Sequence, residues 1–438
     1  MAKAHLLFAL ILAYLLLNGR AVLRVSSGGR GIVPVLEVLI PIVVALLLLF
    51  EAGYGSLACL NTRRFRSRWA PYLALTIVLP LFGVLYADYP LRTIVSSLSG
   101  IRALSFLVLG CWIARSGTAT GRLAGRYVFA AVLAETVLAT GQFLHGHGVS
   151  NHLLELQYQW DIYSQGSYSE KYIITGRSIG SFINPNELGY WSVIAFWVSL
   201  FALRGWYSAA GLTAALLSLV LSQSRGSMFA LVGSGSVLLA YLALSGAVIP
   251  RRAREIATFC CLSGVLILTL AAAGFQDRFS DSPMLSRFSR GLQVVSEGAT
   301  ADRNAEGRVM AWHQAMIFYS DHLAGTWGEP QYLLGHFMDN DYVRVLLQGS
   351  PFYLFALFLA IGAAIWELPH LGQWGRLVSM CWAVIAINAM SANPLNYAAT
   401  GISWIVLGYY LVLRQQSFAL TPSLTPYNNA TPLIHHNH

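Results

Sequence analysis

The chain has 438 residues, of which 56% are apolar and only 11% charged, and it carries a net charge of +9. A soluble domain needs about 25% charged residues to wet its surface, and disordered chains are charged and poor in aromatics; this chain is 12% aromatic, with a mean hydropathy of +0.57. Collagen and disulfide scaffolds are excluded as well, since the 39 glycines show no period and there are only 5 cysteines, which leaves an all-α polytopic integral membrane protein.

A membrane-crossing helix takes roughly 20 mostly apolar residues, and reading for such runs predicts about twelve. They fall near 4–19, 31–50, 70–88, 99–114, 127–146, 186–204, 207–223, 227–248, 256–274, 350–367, 375–392 and 396–414. The run at 99–114 is short, and 207–223 and 227–248 form a tight pair. The first run follows Lys3 and resembles a signal peptide, but Arg20 and Arg24 stand where a small-residue cleavage site belongs. It reads as a retained first span.

Orientation is set by basic residues on short loops. Arg63, Arg64, Arg66 and Arg68, then Arg115, Arg122 and Arg126, then Arg251, Arg252 and Arg254 mark the cytoplasmic side if the N-terminus lies there. An even number of spans returns the C-terminus to the cytoplasm, with a flexible tail over 415–438. The two long loops, 148–185 and 275–349, then both fall outside, the larger one between spans nine and ten. Residues 1–438 read as a single polytopic membrane domain. The positive charge is explained by topology beside anionic headgroups, and no basic stretch interleaved with aromatics points to nucleic acid. Membrane lipids are the expected surroundings. Cys59, Cys111, Cys260, Cys261 and Cys381 lie in or beside spans, so no outer disulfide framework is expected. His435, His436 and His438 belong to the polar tail and read as a floppy end rather than a metal tract.

No Walker sequence, H-E-x-x-H or C-x-x-C occurs, which argues against an ATP-driven pump, a metalloprotease and a thiol redox enzyme. Carboxylates inside spans are scarce, with Glu37, Glu135 and Glu187 the candidates. Ion-coupled transporters generally need such groups, so a transporter is disfavoured.

The unusual polar content gathers on the expected outer face in four clusters. They are Gly176–Glu187 at the mouth of span six, Ser222–Ser227 between spans seven and eight, Gly307–Trp312 in the large loop, and Gly335–Tyr342 before span ten. Each has an ordinary structural account. Pro185 and Asn186 suit a helix start. Arg308 suits the wet face of a helix whose buried stripe is Val309, Trp312, Met316 and Tyr319. His336 suits a loop. Arg225 is the exception, because the turn between Ser224 and Gly226 is too tight for snorkelling, and an unpaired inward arginine costs several kcal/mol. It calls for an anionic partner. Taken together, Arg177, Arg225 and Arg308 form a candidate pyrophosphate-binding set, since guanidinium forks onto phosphate oxygens. Asp339 or His336 is the candidate acceptor of a proton from an attacking hydroxyl. Asn186, Asn340 and Tyr342 are further site candidates. A diphosphate leaving group at a membrane surface with a general base describes glycosyl transfer from a lipid-pyrophosphate donor.

In these features the chain resembles the bacterial O-antigen polymerase and O-antigen ligase superfamily of integral membrane glycosyltransferases. The resemblance covers roughly 70–412. It rests on the span plan, the large loop between spans nine and ten, and four motifs: Gly180-Ser181-Phe182-Ile183-Asn184-Pro185-Asn186; Ser224-Arg225-Gly226; Gly307-Arg308 with Trp312; and Asp339-Asn340-Asp341-Tyr342 followed by Leu346, Leu347 and Gly349. It implies transfer of a glycan from undecaprenyl pyrophosphate on the periplasmic face, with outer-loop arginines on the pyrophosphate and neither metal nor cofactor. The acceptor is another lipid-linked repeat unit in the polymerases and lipid A-core in the ligases. A chain-length regulator is a candidate further partner. Ligases carry histidine directly before the asparagine of the fourth motif. Here Asp339 stands there and His336 lies three residues earlier, which favours a polymerase, with Asp339 as base or orienting group. A lipid-linked oligosaccharide transporter is the alternative from another class, but it would need access to both faces, whereas the motif arginines sit only on the outer face.

Overall fold

The computed structural model describes residues 2–17, 22–26, 30–34, 39, 41–44, 60, 62–86, 94–149, 173, 176–182, 184–245, 303–328, 330, 334 and 339–419. His336, the expected span 256–274, residues 275–302 of the large loop and the tail from 420 lie outside these.

The described chain is helical apart from one short antiparallel pair. Helix α1 (Ala2–Leu17) is followed by strands β1 (Val22–Ser26) and β2 (Arg30–Pro34). A span is expected to open at 31, yet that stretch is extended. Gly31 and Pro34 flank β-branched Ile32 and Val33, a poor way to begin a helix. Then come α2 (Arg63–Arg68), α3 (Ala70–Tyr86), α4 (Ile94–Arg115), α5 (Thr118–Gly146), α6 (Pro185–Phe201), α7 (Trp206–Ser222), α8 (Arg225–Ser245), α9 (Arg303–Asp321), α10 (Asp341–Ile365) and α11 (Gln373–Asn388). A 3-10 turn (Pro394–Asn396) leads into α12 (Thr400–Ala419). By length and composition α5, α8 and α10 are, among the described helices, long and apolar enough to cross a membrane, α10 only when counted across its break at Gly349 and Ser350.

Some bounds differ from expectation. Helix α4 has 22 residues, not a short run from 99, because its serines lower hydropathy without breaking the helix. Helix α5 begins at Thr118, so Arg122 and Arg126 ride on it. Helix α12 continues to Ala419, past the start of the expected tail at 415.

Helix α6 lies at the centre. It is apolar on all sides, and Leu188, Tyr190, Trp191, Val193, Ile194 and Trp197 are all buried, as a helix without a polar face must be. It packs on α7 and α11; α8 packs on α11, α5 on α7, and α4 on α3 and α12. The α4–α12 contact depends on glycine. A Cβ on Gly110 would strike the Ile405 carbonyl, and one on Gly408 the Leu107 carbonyl. Small residues let the two backbones touch.

Helix α10 is broken at Gly349 and Ser350, where Ser350 has φ 61° and ψ −175° ahead of Pro351. Sixteen residues of straight helix would hold Tyr342 and Phe358 about 24 Å apart; their ring centroids are 5.2 Å apart, so the chain bends back sharply. Carbonyls freed at the bend are answered by the loop after α9, with Thr326 N donating to Leu347 O at 2.7 Å and Trp327 N to Gln348 O at 2.8 Å.

Candidate functional site

The first cluster forms a hook that enters the helix assembly instead of lying over it. Ser178, Ile179, Gly180, Ser181 and Phe182 are all buried. Irregular backbone in such surroundings must have each polar group answered, and α5 supplies the answers. Gln142 Oε1 accepts from Ile179 N and Gly180 N, both at 2.8 Å, and Gln142 Nε2 donates to Gly180 O at 2.7 Å. Glu135 Oε2 accepts from Ser181 N at 2.9 Å, and the Ser181 hydroxyl donates to the same carboxylate. Gly180 has φ 59°, and a Cβ there would collide with Glu135, so glycine is required twice over. The hook also has Gly-x-Ser-x-Gly spacing, in Gly176, Ser178 and Gly180, the pattern of a nucleophile elbow. Ser178 is fully buried and its hydroxyl donates to Ala139 O at 2.6 Å, so it serves the hook. After it, Asn184 caps α6 by accepting from Glu187 N at 3.0 Å, with Pro185 in the first turn. The cap is therefore Asn184, not Asn186. Glu187 Oε1 accepts from Ala398 N at 3.0 Å.

The second cluster is bound to the first. Gln223 takes a left-handed conformation to end α7, and its Nε2 donates to Gly176 O at 2.9 Å. Arg177 Nε donates to Ser222 O at 3.3 Å, and Ser224 Oγ to Asn186 Oδ1 at 3.3 Å. Arg225 opens α8 and is half-buried.

Second and fourth clusters meet at the C-terminal end of α11, which the sequence reading does not single out. Ser227 Oγ donates to Asn388 Oδ1 at 3.3 Å, and Gly226 lies against Ser391, where a Cβ would be 2.8 Å from its hydroxyl. From the other side Asp341 N donates to Ala389 O at 2.9 Å and Asn340 Nδ2 to Met390 O at 3.1 Å. Asn340 also caps α10, accepting from Tyr342 N at 2.9 Å and Val343 N at 3.1 Å. Asp339 is thus not the cap; it is exposed and free of that duty. Tyr342 donates its hydroxyl to Ala386 O at 2.7 Å and is a packing residue.

The third cluster joins through charge and packing. Arg308 Nε lies 3.4 Å from Asp339 Oδ2. The expected stripe of α9 is corrected: Val309 and Met316 are exposed, while Ala315 is fully buried on Leu347, with Ala311, Phe318 and Tyr319 beside it. Arg308 precedes Ala311 and Ala315 by three and seven residues, so it shares the inward face of α9.

All four clusters, with Arg177, Arg225, Arg308, Asp339, Asn186 and Asn340, are accordingly linked at one end of the helices. His336 lies outside the described residues. Beneath them is a buried pair absent from the sequence reading: Arg344 Nε donates to Asp341 Oδ1 at 2.7 Å, and Asp341 Oδ2 accepts from Leu395 N at 2.8 Å. It ties the α10 N-terminus to the turn after α11. Two polar atoms of this end, Trp312 Nε1 and Asn393 Oδ1, are buried with no hydrogen-bond partner among the described residues. The Asn388-x-x-Ser391-x-Asn393-Pro394 run was the available signal; like Asn184-Pro185-Asn186, it is polar at the mouth of an apolar run.

Comparison with protein-family models finds no match, and comparison with curated proteins finds none either.

Chemically, the assembly offers three half-buried guanidinium groups and one exposed carboxylate on firmly tied backbone. Such a set suits a multiply charged anion beside a group that must be oriented or deprotonated.

Proposed function

We propose that this chain is a membrane glycosyltransferase that moves a glycan from undecaprenyl pyrophosphate to a hydroxyl of another lipid-linked repeat unit, as a polysaccharide polymerase. The observation that carries the reading is the linkage of the four polar clusters at one end of an otherwise apolar helix assembly, with Arg308 facing inward and paired to Asp339. In this reading the spans number about twelve, the N-terminus is cytoplasmic, and the linked end faces the periplasm. The acceptor hydroxyl attacks the anomeric carbon of the donor glycan. The bond from that carbon to the pyrophosphate oxygen breaks, and the lipid pyrophosphate leaves carrying the electron pair. Arg225 and Arg308, with Arg177 beside them, stabilise the charge that develops on it. Asp339 orients the hydroxyl or receives its proton, and on binding the donor displaces it from Arg308. The presence of Asp339 where ligases carry histidine favours repeat-unit over lipid A-core acceptors.

The test is reconstitution of the purified protein with a lipid-linked repeat unit. Expected is a ladder of longer glycans and release of undecaprenyl pyrophosphate. Release without chain growth, or growth only onto lipid A-core, overturns the polymerase assignment.

A further inference from the structure

The opposite end of the helices carries a second charged assembly that the proposed transfer reaction does not use. Glu367, just past α10, is fully buried and collects cations from three elements. Arg414 of α12 contacts it directly, and Tyr410 donates to it at 2.6 Å. Arg68 and Arg64 of α2 lie 3.4 Å and 3.9 Å away, and His370 Nδ1 lies at 3.7 Å. One carboxylate thus faces three arginines, an excess of two positive charges before His370 is counted. Burial, and next the charge of Arg64, hold the Arg68 guanidinium below its ordinary value.

Helix α2 presents this excess outward. Thr62 caps it, accepting from Phe65 N at 3.2 Å, and Phe65 and Trp69 are buried one turn apart. That fixes Arg64 and Arg68, also one turn apart, on a neighbouring face, with side chains 34% and 28% exposed. Among the described residues the Arg64 guanidinium has only its long 3.9 Å contact with Glu367, and Arg63 and Arg66 are exposed beside it. Directly after α2 begins the apolar helix α3, with Val78, Leu81, Phe82 and Leu85 exposed along it. Guanidinium donors at the foot of an apolar helix surface fit a molecule with a phosphate head and apolar tails.

We propose that Arg64 and Arg68 bind the phosphodiester headgroup of an anionic phospholipid, whose acyl chains lie along α3. The phosphodiester removes one of the two excess positive charges around Glu367 and so helps hold α2, the end of α10 and α12 together.

The experiment uses the full chain in detergent, exposed in turn to phosphatidylglycerol and phosphatidylcholine, with bound lipid counted by native mass spectrometry and thermal unfolding followed in parallel. Phosphatidylglycerol should be retained preferentially and should raise the unfolding temperature. Each arginine near a charged headgroup is worth roughly a fivefold change in affinity, so Arg64→Gln with Arg68→Gln should weaken retention by roughly 25-fold. Arg64→Gln alone, which removes only a 3.9 Å contact to Glu367, serves if the double variant does not fold. Equal retention of the two lipids, or undiminished phosphatidylglycerol retention by a folded variant, overturns the site. If millimolar inorganic phosphate gives the same stabilisation without lipid, the ligand is free phosphate and the lipid assignment fails.

Discussion

Replacing Asp339 by asparagine separates chemistry from architecture at the candidate site. The α10 N-terminus does not rely on Asp339, because Asn340 Oδ1 holds both Tyr342 N and Val343 N. The ~1 kcal/mol that a cap contributes therefore survives in the variant. What is lost is the 3.4 Å ion pair with Arg308, whose side chains are 33% and 50% exposed. A solvent-facing pair of this kind contributes roughly 0–1 kcal/mol, so unfolding should shift by less than about 1 kcal/mol. Turnover should respond on another scale: a positioned carboxylate acting on the acceptor hydroxyl is worth roughly 10²–10⁴-fold. Asparagine matches aspartate in size and still accepts hydrogen bonds, but it cannot take a proton. The assay pairs thermal unfolding with glycan chain length on the reconstituted protein. A folded Asp339→Asn variant with near-wild-type polymer refutes the general-base role of Asp339. If His336→Ala abolishes polymer while Asp339→Asn spares it, the histidine is the base and a ligase replaces the polymerase as the better reading.

Arg225→Ala and Arg308→Ala should each lose about 2–4 kcal/mol of transition-state stabilisation, roughly 30- to 1,000-fold in turnover, and Arg→Lys should do little better because lysine lacks the fork; near-normal glycan length in expressing cells would show that the pyrophosphate is held elsewhere. Gln142→Leu strands the Ile179 and Gly180 N–H groups, at ~1–3 kcal/mol each, and thermal unfolding unchanged from wild type would mean that the hook does not depend on α5. Cysteines introduced at Ser67 and Ser289 should react with a membrane-impermeant reagent from outside only at 289, and the reverse pattern would invert the topology.

The helices were legible because their signal is additive. Tens of apolar side chains mark α5, α6, α8 and α11, and a few polar residues scarcely alter the pattern. What the pattern cannot register is backbone direction within an apolar run. Gly349, Ser350 and Pro351 stand at the expected start of span ten, where they read as an ordinary mouth. In the fold they bend α10 and bring Tyr342 onto Phe358. Likewise Gly31 and Pro34 lie inside an apolar run whose first residues are a strand. Hydropathy counts these residues by polarity, whereas their effect is through φ and ψ.

The candidate site was legible as chemistry and less so as construction. Arginines, asparagines and a carboxylate on one expected face pointed to Arg177, Arg225, Arg308 and Asp339, and the fold links the segments that bear them. The residues that make this linkage were harder to see, because each serves a backbone group far along the chain. Glu135 and Gln142 are separated by seven residues, so they lie on one face of α5. Read alone, Glu135 is a carboxylate in an apolar span and invites an ion-coupling role. In the fold it accepts the Ser181 N–H, and Gln142 takes the two preceding N–H groups of the same hook. A chain that enters an apolar assembly without helical hydrogen bonds must be met by side chains carrying the complementary groups. A polar pair on one face of an apolar helix, together with a Gly-Ser-rich segment elsewhere, is therefore a constructional signal. It locates where an irregular segment can be held among helices, and with it the arginine and asparagine that segment brings to the site.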